Sequence, residues 1–141
     1  MNNYKTVFFA IGILLIILGA SMLIPFFVQL IYEENNNTFL SSSGITIFIG
    51  ILLVLTNLEE NRKLNLQQAF LLTTLSWLRI AIFGCIPFLL SSLNISLVDA
   101  FFESMSGITT TGSTIITNLD NSPKSILIWR AILQWLGGIG I

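Results

Sequence analysis

Three long stretches of this chain are almost free of charged residues, and they restrict its structure more than any other feature. Residues 6–32 form a stretch of 27 without a charge, residues 38–58 form one of 21, and residues 66–90 form one of 25 with Arg79 as its single charge. A membrane-spanning helix needs about 20 apolar residues. The sequence therefore predicts an all-α integral membrane protein with three spans, the first of them kinked at Pro25.

A cleaved signal peptide is the alternative for the first stretch, with Lys5 before it and a faint cleavage site at residues 18–21. The apolar run continues for ten residues beyond that site, which favours a membrane span.

The distribution of Lys and Arg predicts the orientation of the spans. Lys5 precedes the first span, the loop at residues 33–37 contains neither residue type, and the loop at residues 59–65 contains Arg62 and Lys63. The N-terminus is therefore expected on the cytoplasmic side, and the third span is expected to end outside.

Composition excludes most other classes of function. Only 9% of the residues are charged and the formal net charge is -1, so the chain has no basic surface for nucleic acid. Histidine is absent and Cys85 is the one cysteine, which argues against zinc sites, catalytic triads and enzymatic activity in general. Cys85 lies in an apolar run and is predicted to be a buried core residue.

The segment after the third span has a different pattern. Ser96 and Asp99 have the spacing of a capping box, apolar residues then recur at helical spacing, and Gly107 is a natural C-cap. The prediction is a helix over residues 97–106, about 15 Å long. Such a helix crosses about half of a hydrocarbon core that is roughly 30 Å thick.

A run of Thr, Gly and Ser over residues 109–114 follows, then a polar return to residue 125, and then a new apolar stretch from Ile126. This order is typical of a re-entrant pore loop, whose half-length helix points its carbonyl end at the bilayer centre and favours a cation there. Backbone carbonyls of the run could then line a selectivity filter. A weak fourth transmembrane helix and a polar linker outside the membrane are the alternatives.

The residues of this segment resemble a known family. The sequence from Asp99 to Thr114 is similar to the first pore loop of the Trk/Ktr/HKT potassium transporter superfamily, and most similar to the TrkH/TrkG potassium-uptake subunits of bacteria. The sequence from Trp129 to Gly140 resembles the helix after that loop, and Ile86-Pro87-Phe88 fits the end of the helix before it.

The resemblance implies an architecture of four M1-P-M2 repeats around a pore, preceded by two extra helices. Residues 1–65 would be that N-terminal two-helix hairpin, and residues 66–141 would be the first repeat. Within the repeat, the resemblance implies M1 at 66–90, the pore helix at 97–106, the filter at 109–114 and an incomplete M2 at 126–141. The other three repeats would lie outside this chain, which would make it a fragment or a truncated product.

The resemblance also implies the site and the function. Gly112 matches the filter glycine, and K+ would bind the backbone carbonyls of Thr110, Thr111, Gly112 and Ser113, with no cofactor. The expected function is potassium uptake across the bacterial cytoplasmic membrane. The expected partners are membrane lipid, a second pore subunit in a homodimer and a cytoplasmic nucleotide-binding ring of the TrkA/KtrA type. A truncated, non-conducting membrane protein with a structural role is the alternative.

Two charged residues are expected deep in the membrane, where an unpaired charge is costly. Arg79 lies near the middle of the third span and Glu103 lies on the pore helix. Arg79 is expected to pair with Glu103 or with the carbonyl end of the pore helix near Ser106. A partner in the missing repeats is the alternative. Small residues at 137–140 are expected to allow close helix packing.

Overall fold

The structure is a computed structural model that describes residues 4–34, 37–58 and 63–140. These residues form helices and connecting loops, without a β-strand. Arg62, on which the predicted orientation partly rests, lies outside the described residues. The helices in the described part are α1 (Lys5–Ser21), α2 (Leu23–Ile31), α3 (Thr38–Thr56), α4 (Leu66–Gly84), α5 (Ile86–Leu90), α6 (Leu97–Ile108) and α7 (Lys124–Ile139), with a short 3-10 turn at Leu119–Asn121.

Three helical segments of the described chain are long and apolar enough to cross a membrane, which confirms the predicted all-α membrane fold. They are Lys5–Ile31, Thr38–Thr56 and Leu66–Leu90. Many large apolar side chains, among them Phe27, Phe48 and Phe70, are exposed on the outside of the bundle. An apolar exterior of this kind suits contact with lipid.

The first and third of these segments are each interrupted by one residue. Met22 separates α1 from α2, and Cys85 separates α4 from α5. Proline follows at Pro25 and Pro87, where the missing N–H leaves one helical carbonyl without its donor. The kink predicted at Pro25 corresponds in the structure to this one-residue interruption of the helix at Met22, three residues earlier.

Close backbone contact joins α1 to α3. A Cβ atom added to Gly12 would lie 2.8 Å from the Gly50 carbonyl oxygen, and one added to Gly50 would lie 2.9 Å from the Gly12 carbonyl oxygen. Ser43 Oγ also donates to the Gly19 carbonyl at 2.8 Å. Small residues and interhelical hydrogen bonds of this kind stabilise helix pairs where the hydrophobic effect is weak.

The half-length helix α6 packs against both α4 and α7. A Cβ atom on Gly84 would lie 2.7 Å from Ser104 Oγ, so α4 and α6 approach closely there. Trp129 on α7 is fully buried and its indole N–H donates to the Gly84 carbonyl at 3.0 Å. The Trp129 ring also meets Phe39 of α3 edge to face, with ring centroids 5.9 Å apart. These contacts join α4 to α6 and α7 to both α4 and α3, and so hold α6 among the longer helices.

Loops and helix ends from distant parts of the chain meet at one end of the bundle, here called the polar end. Glu34 accepts hydrogen bonds from the backbone and side chain of Ser125, and Thr38 Oγ1 donates to the Leu90 carbonyl at 3.4 Å. Both α6 and α7 begin at this end, because Leu97 follows α5 closely and Lys124 precedes Ser125.

Candidate functional site

The helix α6 enters the bundle from the polar end and stops inside it. Its first turn is capped by Ser96, whose Oγ accepts a hydrogen bond from the Asp99 backbone N–H at 3.2 Å. Within the described residues, the Asp99 side chain accepts no hydrogen bond from the Ser96 backbone N–H. Only one of the two hydrogen bonds of the predicted capping box is therefore formed. At 12 residues the helix is about 18 Å long and two residues longer than predicted. Its carbonyl end carries partial negative charge.

The end of α6 is a Schellman motif built around a threonine. The Thr110 N–H donates to the Gly107 carbonyl at 2.9 Å, and the Thr111 N–H donates to the Ser106 carbonyl at 3.0 Å. This pattern requires a left-handed residue after the cap, usually glycine, and Thr110 occupies that position with φ 60°. A β-branched residue in this region is strained, and the two hydrogen bonds of the motif are what hold the exposed Thr110 there.

The prediction that Gly107 caps the helix is wrong. Gly107 lies inside the last turn, and the cap residue is Thr109. A Cβ atom on Gly107 would lie 2.9 Å from the Leu133 Cβ. The glycine is therefore needed for close packing of α6 on α7 rather than for its backbone freedom.

The residues after the cap run in an irregular, exposed strand. All residues from 109 to 115 are exposed, and Gly112 has φ 77°, a conformation that L side chains rarely adopt. In the described chain, the carbonyl oxygens of Thr110, Thr111 and Gly112 accept no hydrogen bond. These carbonyls are free to bind a cation at the negative end of the α6 dipole.

The fourth residue predicted to offer a carbonyl is placed differently. The Ser113 carbonyl accepts a hydrogen bond from Ser106 Oγ at 2.6 Å, so this oxygen is directed at α6. It ties the strand to the helix behind it.

A buried carboxylate holds the far end of the strand. The Glu103 side chain is 0% exposed, and its Oε1 accepts hydrogen bonds from Thr114 Oγ1 at 2.5 Å and from the Ile115 N–H at 2.6 Å. Its Oε2 accepts a hydrogen bond from Arg130 Nε on α7 at 3.0 Å, and Arg130 is 14% exposed. Both carboxylate oxygens are therefore satisfied, and one side chain connects α6, the strand and α7.

The predicted pair of Arg79 with Glu103 is not formed, because Arg130 occupies the carboxylate. Within the described residues, no hydrogen bond or ion pair joins Arg79 to Glu103 or to Ser106. Arg79 lies on α4 and is half-buried.

The sequence did contain a signal that favours Arg130 as the partner of Glu103. This signal is the position of each residue along its helix, counted from the polar end. Glu103 lies six residues after the start of α6, and Arg130 lies six residues after the start of α7. Both are therefore about 9 Å along helices that begin at the same end. Arg79 lies 11 residues before the end of α5, about 16 Å from that end.

Gly137 is a further residue of the site whose individual role was not predicted. A Cβ atom there would lie 1.9 Å from the Ile108 carbonyl oxygen. The backbones of α7 and of the last turn of α6 therefore lie in close contact at Gly137, as expected for small residues at 137–140.

Comparison with known proteins points to one group. A family model described as TrkH, cation transport protein, matches residues 35–141. The chain is 38% identical over 141 residues to the Trk system potassium uptake protein TrkH of Escherichia coli K12, covering 99% of this chain and 29% of that protein. It is 41% identical over 132 residues to an uncharacterized cation transporter of Methanocaldococcus jannaschii, covering 93% and 27%.

A solved structure gives the same result. The crystal structure of the potassium transporter TrkH from Vibrio parahaemolyticus matches with a TM-score of 0.94 and 37% sequence identity, over 99% of this chain and 30% of that chain. This chain therefore spans less than a third of the length of the relatives it matches.

Proposed function

This chain belongs to the TrkH family of cation transport proteins, and from that premise we propose that it supplies one of four pore loops of a potassium-uptake transporter. The observation that carries the proposal is the strand after α6. Three neighbouring carbonyls, those of Thr110, Thr111 and Gly112, are free of hydrogen bonds within the described chain, at the carbonyl end of a half-length helix. Rings of backbone carbonyls replace the hydration shell of K+ in selective pores.

Glu103 and Arg130 hold this strand in the proposed pore. The carboxylate binds Thr114 and the Ile115 N–H from behind, so it fixes the strand without facing the ion. Arg130 neutralises the carboxylate. The negative electrostatic potential at the proposed filter then comes from the carbonyl dipoles and the carbonyl end of α6 rather than from a net charge.

The remaining members of the pore are also part of the proposal. Three further loops would complete the ring, because one strand cannot surround an ion. Residues 1–65 would form the hairpin before the first repeat, which is residues 66–141. The intact transporter would be a homodimer in the lipid of a bacterial cytoplasmic membrane, controlled by a TrkA/KtrA-type nucleotide-binding ring. Its N-terminus would be cytoplasmic and its polar end would face outside.

Selectivity of the intact transporter tests this proposal. Gly112→Ser should increase sodium uptake relative to potassium, because serine disfavours φ 77° and its Cβ would lie 3.3 Å from Gln134 Nε2. The assay is competitive uptake of the two ions by cells that lack their own potassium-uptake systems. Gly44→Ser is the matched control, since nothing lies within 4 Å of a Cβ atom there. Unchanged discrimination in Gly112→Ser would show that the carbonyls of residues 110–112 are not a filter.

A further inference from the structure

Arg79 is the one charged residue of the third membrane span, and it has no counter-charge in the described chain. It lies on α4 and is half-buried, and within the described residues it makes no ion pair and its guanidinium donates no hydrogen bond. The residues one turn away on α4 are apolar except Ser76, whose buried hydroxyl has no hydrogen-bond partner. The helix that carries the charge therefore offers it no partner.

The position of Arg79 along the span puts it near the centre of the bilayer. It lies about 20 Å along α4 from Leu66 and about 16 Å from the end of α5 at Leu90. Long cationic side chains reach the lipid headgroups when they lie near a helix end, and Arg79 is far from both ends. A charge at this depth is costly unless it is paired or faces a water-filled cavity.

The carboxylates of the described chain are occupied or lie at a different depth. Glu103 is bound by Arg130 and by two donors of the strand. The other described carboxylates lie at the polar end, after α2, in the first turn of α6 or in the 3-10 turn before α7: Glu33, Glu34, Asp99 and Asp120. Among the described residues, no free carboxylate lies at the depth of Arg79.

A partner for Arg79 is therefore expected in a part of the transporter beyond this chain. The chain covers 29% of TrkH from Escherichia coli, so more than two thirds of that protein lies outside the matched part. Under the proposed function, further membrane helices of the same polypeptide pack beside α4. A carboxylate is the group that fits, because it neutralises the guanidinium and accepts two of its N–H donors at once.

We propose that Arg79 docks the first repeat onto the rest of the transporter, by an ion pair with a carboxylate on a membrane helix of the same polypeptide beyond residue 141. This inference rests on the proposed function for the existence of those helices. The charge, the depth and the missing partner are properties of the described chain itself.

The stability of the intact transporter tests the ion pair by the sign of one effect. Arg79→Leu should shift the unfolding equilibrium of the purified protein toward the unfolded state by about a hundredfold, because it leaves the carboxylate unpaired in the membrane. If Arg79 instead faced lipid, the same substitution would remove a costly charge and stabilise the protein. If it faced a water-filled cavity, stability would change little. Either of these two results would overturn the proposal.

Lys124→Leu is the matched control for the loss of a cation. Lys124 is exposed at the first residue of α7, at the polar end, so its removal should change the unfolding equilibrium less than threefold, as is usual for an exposed charge. This measurement does not use transport. A wild-type protein that takes up no potassium would refute the proposed function and would leave the sign of the Arg79→Leu effect to decide the ion pair.

Reversal of the charge identifies the partner. Arg79→Glu would place two carboxylates together, so it should abolish growth at low potassium in cells without other uptake systems. Second-site revertants should replace an Asp or Glu beyond residue 141 by Lys or Arg. Revertants confined to residues 1–141 would overturn the proposal.

Cross-linking decides whether the partner belongs to the same polypeptide. Cysteines would replace Arg79 and the residue found in the revertants, in a variant whose other cysteines are removed, and an added oxidant would form the disulfide. A disulfide within one polypeptide leaves the protein at the size of a single subunit on a denaturing gel, which is the expected result. A disulfide-linked dimer would assign the carboxylate to a second subunit and overturn the proposal.

Discussion

The pair of Glu103 and Arg130 should appear as a free-energy coupling in a double-mutant cycle. The cycle consists of Glu103→Gln, Arg130→Leu and the double variant in the purified intact protein. We expect the double variant to be about 2 kcal/mol less destabilised than the sum of the single variants, a factor of about 30 in the unfolding equilibrium.

The size of this coupling follows from the geometry. Two charges about 4 Å apart attract by about 4 kcal/mol at an effective dielectric constant of about 20. Burial opposes this gain, because the Glu103 side chain is 0% exposed and Arg130 is 14% exposed. Arg130 donates through Nε alone, so the pair lacks the second bond of a bidentate contact. A net coupling near that of one charged hydrogen bond, about 2 kcal/mol, remains.

Arg130→Leu alone should destabilise the protein by about 3 kcal/mol, the low end for breaking a buried pair. The low end applies because Thr114 and Ile115 still donate to the Glu103 carboxylate. Unfolding free energies would be measured in mixed micelles with increasing sodium dodecyl sulfate, with tryptophan fluorescence as the signal.

A second cycle provides the control. It replaces Arg130→Leu by Arg79→Leu, which also removes an arginine from an apolar helix. Since Arg79 makes no ion pair with Glu103 in the described chain, these two substitutions should be additive within about 0.5 kcal/mol. A coupling in the Arg79 cycle together with additivity in the Arg130 cycle would refute the assignment of the pair.

Three further predictions concern the same region. Gly137→Ala should destabilise the protein by about 3 kcal/mol, because the new Cβ would lie 1.9 Å from the Ile108 carbonyl oxygen. Gly138→Ala is the control and should change the denaturation midpoint little, because its Cβ would make only an ordinary contact at 4.0 Å. Thr110→Gly should stabilise the protein by about 1 kcal/mol in the same titration, since it relieves a left-handed threonine; a loss of stability would contradict the strain. Residues 1–141 expressed alone should not restore growth at low potassium to a strain without uptake systems, and rescue would indicate a homotetramer.

Much of the fold was predictable because it depends on local pattern. Uncharged runs predicted the three long helical segments, and Ser96 predicted the start of α6 at Leu97. The run of residues 109–114 predicted an irregular strand because Thr, Gly and Ser favour a membrane helix poorly. The structure has that strand, with Gly112 at a positive φ.

Gly107 marks where local reasoning failed. A glycine after an apolar helical run is a common C-cap, and nothing in the adjacent residues argues otherwise. What decides its role is Leu133, 26 residues away, whose Cβ leaves no room for a side chain. Thr110 then takes the left-handed position that glycine would usually occupy.

The sequence by itself determined which segments enter the membrane and where the half-length helix begins, because hydropathy and helix capping act over a few neighbouring residues. Depth along the helices favoured Arg130 over Arg79 as the partner of Glu103, but only the tertiary structure decided that α6 and α7 lie side by side. Two arginines in apolar helices were available to one buried carboxylate, and the choice depends on the depth at which α6 and α7 lie side by side.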